Sequence, residues 1–187
     1  MVEVVDYRPA WPERFEELRA AYARVLEAAR VPYRSIEHVG STAVPGLAAK
    51  PVIDVDVVVP EPDVDAASAA LAGLGFVPRG DLGVAGRYAF VTPGTFAPSN
   101  TYVVVDGCLA LRNHLAVRDT LRVDGALRRE YDAVKRRAAA TAADIDEYIL
   151  LKSDVLGRIL ERAGLSQDER TAIAETSRGI TTRGANG

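Results

Sequence analysis

The chain has 187 residues, with 26 Asp and Glu against 23 Lys and Arg for a net charge of −3, two histidines and one cysteine. This length suits one domain with a real core, and Cys108 with His38 and His114 can build neither an internal disulfide nor a Cys/His zinc cluster. No apolar run is long enough to span a bilayer, the first residues carry Glu3, Asp6 and Arg8 rather than an apolar leader, and the net charge argues against a nucleic-acid coat protein. The expectation is therefore a cytoplasmic protein with no membrane partner, whose most plentiful chemical tool is the carboxylate.

In chain order, residues 12–30 predict an amphipathic helix. Pro12 fits its first turn, and Phe15, Leu18, Tyr22, Val25, Leu26 and Ala29 fall on one face. Residues 35–39 predict a short strand ended by Gly40-Ser41, and 42–50 are small and turn-rich. Residues 52–59, Val-Ile-Asp-Val-Asp-Val-Val-Val, carry the strongest strand signal. An Ala-rich helix follows over about 63–74, with Gly75 as its stop. Strands are expected near 76–79 and 87–92, separated by a Gly-rich loop at 80–86. After a loop over 93–99, another strand is expected at 101–105. From about 109 the pattern is helical. Asp144 and Glu147 resemble a capping box before a last long helix with a stripe of Ile145, Tyr148, Ile149, Val155, Leu156, Ile159 and Leu160, ended by Gly164. From about Ser177 the chain is polar and Gly-bearing, which predicts a frayed tail.

This order predicts an α+β fold: a small mixed sheet flanked by helices, then a helical C-terminal half. Residues 1–165 form a single domain and 166–187 an extension. No GxGxxG follows a strand and no Walker A motif is present. Charge is uneven. Residues 51–70 hold five acids and no Lys or Arg, whereas 111–140 hold eight basic residues against four acids. Solvated helix faces are the simplest reading of most of those arginines. Nucleic-acid binding through them is the weaker one, since no aromatic residues interleave.

The chemistry concentrates at Asp54-Val55-Asp56. On a strand these carboxylates point to one face, within reach of a shared cation, and apolar neighbours on both faces suggest a strand covered on each side. Two such acids repel unless compensated. A hard divalent cation, Mg²⁺ or Mn²⁺, does that, while a solvent-facing rim of the sheet is the other reading. Val39-Gly40-Ser41 adds a turn in which glycine allows close backbone approach. The serine hydroxyl and nearby N–H groups suit phosphate oxygens.

Twelve residues, Thr42 to Ile53, separate Ser41 from Asp54. Apolar-Gly-Ser, that gap, and then Asp54-Val55-Asp56-Val57 resembles the signature of the polymerase-β-like nucleotidyltransferase superfamily. The segment Ile36 to Asp56 is similar to the hallmark of its bacterial GrpB branch. Gly80-Asp81, Gly83, Gly86-Arg87 and Phe90, then Arg112-Asn113-His114-Leu115, and the pairs Tyr131/Lys135 and Tyr148/Lys152 resemble further blocks, so the likeness covers about residues 3–163. It implies Mg²⁺-dependent transfer of a nucleoside monophosphate from an NTP, with ATP as the first guess, to a small-molecule acceptor, releasing pyrophosphate. It implies Asp54 and Asp56 as metal ligands and Gly40 and Ser41 as the triphosphate cradle. Many members use a third carboxylate on a neighbouring strand. Asp106, at the end of the 101–105 strand, is the candidate here, although a turn residue is its plainer reading. Members also often carry a His-rich run before that strand, where this chain has Ser99-Asn100-Thr101-Tyr102.

Three cations are further candidates for phosphate. Lys152 lies one helical turn from Tyr148, Arg87 follows the Gly-rich loop, and Lys50 sits at the mouth of the acidic strand. His38, His114, Trp11 and Cys108 read as structural residues. Because GrpB-like domains occur fused to dephospho-coenzyme A kinase, the resemblance also implies a second reading, a non-catalytic nucleotide-binding or accessory module in a nucleotide or coenzyme A pathway.

Overall fold

The valine-rich run at 53–59 becomes the centre of the fold because neither of its faces is left to water. A computed structural model describes the backbone of residues 3–184, and their side chains except at 145, 146 and 177–184. The elements are α1 (Trp11–Ala28), β1 (Ser35–Val39), β2 (Ile53–Val59), α2 (Val64–Ala72), β3 (Val77–Gly80), β4 (Arg87–Val91) and β5 (Ser99–Val105). They are followed by α3 (Leu109–Val123), α4 (Gly125–Thr141), α5 (Ile145–Leu151), α6 (Ser153–Arg162) and α7 (Gln167–Gly184). The sheet order is β1-β2-β5-β4-β3. Only the central pair β2 and β5 is parallel; the other pairs are antiparallel. This is the expected α+β fold with a small mixed sheet.

One face of β2 presents Ile53, Val55, Val57 and Val59 to Trp11, Phe15, Leu18, Tyr22 and Leu26 of α1 and to Val64, Ala67 and Leu71 of α2. Each such side chain contributes about 1.5–3 kcal/mol when taken fully out of water. Val58, on the opposite face, packs with Val104 of β5 and Leu111 of α3. Asp54 and Asp56 share that second face; α3 covers Asp56 as well as the far end of the strand, and Asp54 is left at the cleft. A separate core joins Val44 and Leu47 to Leu121, Tyr131, Val155 and Ile159. The turn-rich stretch after Ser41 is thus a plug into the helical half rather than a surface loop.

Three expectations shift. β5 begins at Ser99 because it pairs in register with β2 from Ile53 onward, a tertiary gain that outweighs the poor strand propensity of Asn100. The last long helix is two helices broken at Lys152, whose backbone (φ −96°, ψ −7°) caps α6. The proposed cap holds: Glu147 N–H donates to Asp144 Oδ1 at 2.8 Å, and Ala143 N–H donates to Glu147 Oε2 at 2.7 Å. Of the predicted stripe, Tyr148, Val155, Ile159 and Leu160 are buried, while the side chain of Ile145 lies outside the described residues. The polar C-terminal stretch is assigned to helix α7 (Gln167–Gly184) rather than to coil. Its first turn is tied to α3 and α6 by Arg112–Glu169 at 2.5 Å and Arg170–Glu161 at 3.0 Å.

Candidate functional site

β1 runs antiparallel to β2 with Val39 opposite Asp54, so the turn that ends β1 lands beside the first carboxylate. Gly40 sits at φ +69°, ψ −170°, a conformation that L side chains rarely adopt. A Cβ there would stand 2.0 Å from Asp54 Oδ2 and 2.8 Å from its Cγ. The glycine is therefore what lets the turn and the carboxylate interlock. The other oxygen, Asp54 Oδ1, accepts a hydrogen bond from Asn100 Nδ2 at 2.7 Å. Burial pushes the Asp54 carboxyl above its ordinary range, and Asn100, His114 and Lys135 only partly oppose that.

Asp56 is fully buried. Its Oδ2 is 2.7 Å from His114 Nδ1, and its Oδ1 is buried with no hydrogen-bond partner among the described residues. Burial acts to lower the His114 pKa, but the Asp56 carboxylate prevails and holds it above the usual range. Two strand carboxylates, one with an unsatisfied buried oxygen, fit a hard divalent cation. Among the described residues no cluster of three Asp, Glu, His or Cys is arranged to hold a metal. If a cation binds there, the rest of its shell would have to come from water or from oxygens of a substrate.

A cleft of about 330 Å³ opens beside Asp54. It is lined by Ser41, Lys50, Lys135, Tyr148 and Lys152, with Asn100 at its edge. Lys135 Nζ donates to Ala48 C=O at 2.6 Å, and one turn earlier on α4 Asp132 accepts from Ala48 N–H at 2.8 Å. Both polar groups of one loop residue are thereby fixed to α4, which seats the loop next to the carboxylates. Burial lowers the Lys135 pKa to about 7, with Lys152 adding repulsion and Asp54 opposing it. Lys152 stands 4.0 Å over the Tyr148 ring, and Lys50 lies 5.3 Å from the same ring. Burial, reinforced by Lys50, lowers Lys152 to about 8. Three lysines face one cleft with Asp54 as their shared carboxylate and make no closer ion pair among the described residues, so an anion in the cleft would favour their charged forms.

The structure thus brings together Gly40, Ser41, Asp54, Lys50 and Lys152, with Asp56 two residues further along the same strand face. It does not bring in Asp106. β2 and β5 are parallel, Asp54 lies near the start of β2, and Asp106 follows the end of β5, where it meets exposed Arg34 at 3.3 Å. The residue beside Asp54 on β5 is Asn100. Arg87 lies outside the cleft, on β4, with its guanidinium 4.7 Å over the Tyr102 ring and its Nε buried without a partner. His38 is structural, as expected. It stacks on Phe15 at 4.7 Å and its Nε2 is 3.0 Å from Thr42 Oγ1.

Sequence reasoning missed Asn100, Lys135 and His114 as site residues. For Lys135 a signal existed: Tyr131/Lys135 and Tyr148/Lys152 repeat one i, i+4 spacing, and both lysines reach the cleft. For His114 and Asn100 none did, since each depends on the register of distant strands. Nor are the α3 arginines only a solvated face. Arg118 donates to Glu37 at 2.7 Å and to His38 C=O at 3.1 Å, and Arg122 donates to Ala43 C=O at 3.0 Å, bracing the Gly40–Ser41 turn from both sides.

The family model described as GrpB protein matches residues 1–162. The UPF0157 protein YqkA of Bacillus subtilis (strain 168) is 31% identical over 164 residues. That match covers 87% of this chain and 47% of the relative, so the chain spans about half the length of that protein. The crystal structure of the conserved protein GrpB from Enterococcus faecalis superposes with a TM-score of 0.73 at 32% identity, covering 86% of this chain and 96% of that one. The structure of the GLD-2/RNP-8 complex, at 17% identity and a TM-score of 0.54 over 82% of this chain and 60% of the other, shares the fold, which is nucleotidyltransferase-like. With a family model spanning most of its length and a solved relative matched almost end to end, this chain belongs to the GrpB family.

Proposed function

We propose that the protein is a Mg²⁺-dependent nucleotidyltransferase that moves a nucleoside monophosphate from an NTP, ATP in the first instance, to a small-molecule acceptor with release of pyrophosphate. The observation that carries this reading is the interlock of Gly40 with Asp54 at the edge of a cleft into which Lys50, Lys135 and Lys152 converge. Asp54 and the unpartnered Oδ1 of Asp56 would hold the metal ion, which when bound neutralises phosphate charge and eases departure of pyrophosphate. Ser41 and the N–H groups after Gly40 orient phosphate oxygens. The lysines supply fixed positive charge in a partly dry cleft, where it acts more strongly than in water.

The test is thermal stabilisation by each NTP with and without Mg²⁺, then pyrophosphate release against a metabolite panel, on the native chain and on Asp54→Ala and Asp56→Ala. Stabilisation that needs both NTP and Mg²⁺ and is lost in the variants is the expected result; NTP binding indifferent to metal sinks it. One observation favours the second reading, an accessory nucleotide-binding module: Asn100, an amide that cannot take up a proton, stands beside Asp54 on the neighbouring strand. Nucleotide binding that yields no pyrophosphate with any acceptor would support that module.

A further inference from the structure

A cation flanks the acids on the side away from the lysine cleft, and no base stands with it. On the β5 side of Asp54 the neighbour is Asn100, whose Nδ2 is committed to Asp54 Oδ1. Beyond it the same sheet face continues into Val91 and Val77, opposite each other in register and 45% and 56% exposed. Further along that face Tyr102 lies opposite Asp56, and Arg87 of β4 reaches back over the Tyr102 ring. Arg87 pairs with no carboxylate among the described residues, and its Nε is buried without a hydrogen bond. The guanidinium is partly exposed, stacked on Tyr102 and without a carboxylate partner among those residues, so it can take an anion from solution.

A hydroxyl acceptor reacts fastest where a base within hydrogen-bond reach takes its proton. Among the described residues this face presents no carboxylate or imidazole free for that role. Asp54 and Asp56 are the proposed metal ligands, and Asn100 is an amide. The Tyr102 ring is covered by the Arg87 guanidinium at 4.7 Å. His114 is engaged by Asp56 and lies toward a separate apolar pocket lined by Gly40, Val117, Leu156 and Leu160. Lys135 and Lys152 stand across Asp54, in the cleft where a triphosphate would keep them protonated.

Building on the proposed transferase reading, we infer that the acceptor is an oxyanion already ionised at neutral pH, a carboxylate or a phosphate. Its anionic group is drawn by Arg87 and its apolar body rests on Val91 and Val77. In the transfer, an oxygen of that anion forms a bond to the α-phosphorus of the NTP. The bond from that phosphorus to the bridging oxygen of the β-phosphate breaks, and its electron pair leaves with pyrophosphate. No proton changes hands, so no base is needed, and the product is a mixed anhydride.

The test uses the full chain with Mg²⁺ and ATP, following pyrophosphate release with three acceptor pools. These are carboxylates (acetate, benzoate, octanoate), phosphate monoesters (phenyl phosphate, glycerol phosphate) and alcohols (benzyl alcohol, glycerol, octanol). The expected result is release with one of the two anionic pools, which identifies the source, and none with alcohols. Arg87→Gln should raise the KM for the active anion by roughly ten- to a hundredfold, the loss of a charge-assisted hydrogen bond, while leaving stabilisation by Mg²⁺-ATP intact. Asn100→Asp, which places a carboxylate beside Asp54, should confer release with alcohols that rises with pH. Release with alcohols by the native chain, or with none of the pools while Mg²⁺-ATP still stabilises the protein, overturns the inference alone. Failure of Mg²⁺-ATP to stabilise the protein overturns the transferase reading as well.

Discussion

Replacing Gly40 by alanine tests whether the turn and the first carboxylate are mechanically coupled. Two penalties arise from one methyl group. The backbone at φ +69°, ψ −170° disfavours any L residue, which costs about 1–3 kcal/mol. The Cβ, 2.0 Å from Asp54 Oδ2, also forces the carboxylate to turn away from Asn100, which costs about 1–3 kcal/mol more as an overpacked contact. The first penalty belongs to Gly40 alone, and the second exists only while Asp54 has its carboxylate. Urea denaturation of the native chain, Gly40→Ala, Asp54→Ala and the double variant separates them. In the Asp54→Ala background the Oδ2 and Cγ contacts vanish, leaving only the 3.0 Å approach to Cβ. Gly40→Ala should then cost about 1–3 kcal/mol less than in the native background. Additivity to within about 0.5 kcal/mol would refute the interlock, and with it the reason this turn requires glycine. The single Gly40→Ala variant should also lose stabilisation by Mg²⁺ with NTP, because its remaining carboxylate points elsewhere.

Four further outcomes follow from the same geometry. Lys135→Met and Lys152→Met should each weaken Mg²⁺-NTP binding by about tenfold or more, measured by calorimetry, consistent with a lost charge-assisted contact of about 1.5–3 kcal/mol. His38, whose pKa is held at about 4 chiefly by burial and then by Arg122 and Arg118, is neutral in the folded protein where the unfolded chain would be protonated. Its contribution is fully present above pH 6.5 and is lost as pH falls toward 4, with a slope of at most about 1.4 kcal/mol per pH unit. His38→Phe, which keeps the stack on Phe15, should flatten denaturation midpoints across that window. Arg118→Met should destabilise by about 1–3 kcal/mol, because Glu37 and the His38 carbonyl lose their donor. Asp106→Asn should leave both stability and NTP binding within experimental error, since its partner Arg34 is an exposed ion pair of about 0–1 kcal/mol.

Local pattern was enough to read β1, β2, the flanking α1 and α2, and the placement of Gly40, Ser41, Asp54 and Asp56. There the signals are periodicity, a turn residue and a fixed spacing, and each acts within a few residues. Legibility fails where a role is set by pairing between distant segments. Asp106 looked eligible because it ends a strand next to the acidic one. Parallel pairing of β2 with β5 sends that end of the strand away from Asp54 and delivers Asn100 instead. His114 read as a structural residue, yet α3 crosses the sheet so that its ring meets the buried Asp56. No spacing rule links positions 56 and 114; the contact exists only once the helix is docked.

The same docking explains why the positive charge of residues 111–140 misleads when counted. Arg118 and Arg122 spend theirs on Glu37 and on the carbonyls of His38 and Ala43, so α3 is riveted to the turn that bears Gly40. Lys135 is in the same segment but points into the cleft, where its bond to Ala48 C=O leaves two of its three donors for a ligand. Arginines with carboxylate and carbonyl partners are the scaffold, and the lysines of the cleft, which make no close ion pair among the described residues, are the groups the proposed function assigns to phosphate. Arg87 breaks that division, being an arginine with no anion beside it. It lies on the face that also carries Asn100, which is why Arg87→Gln and Asn100→Asp probe the same proposed acceptor from two sides.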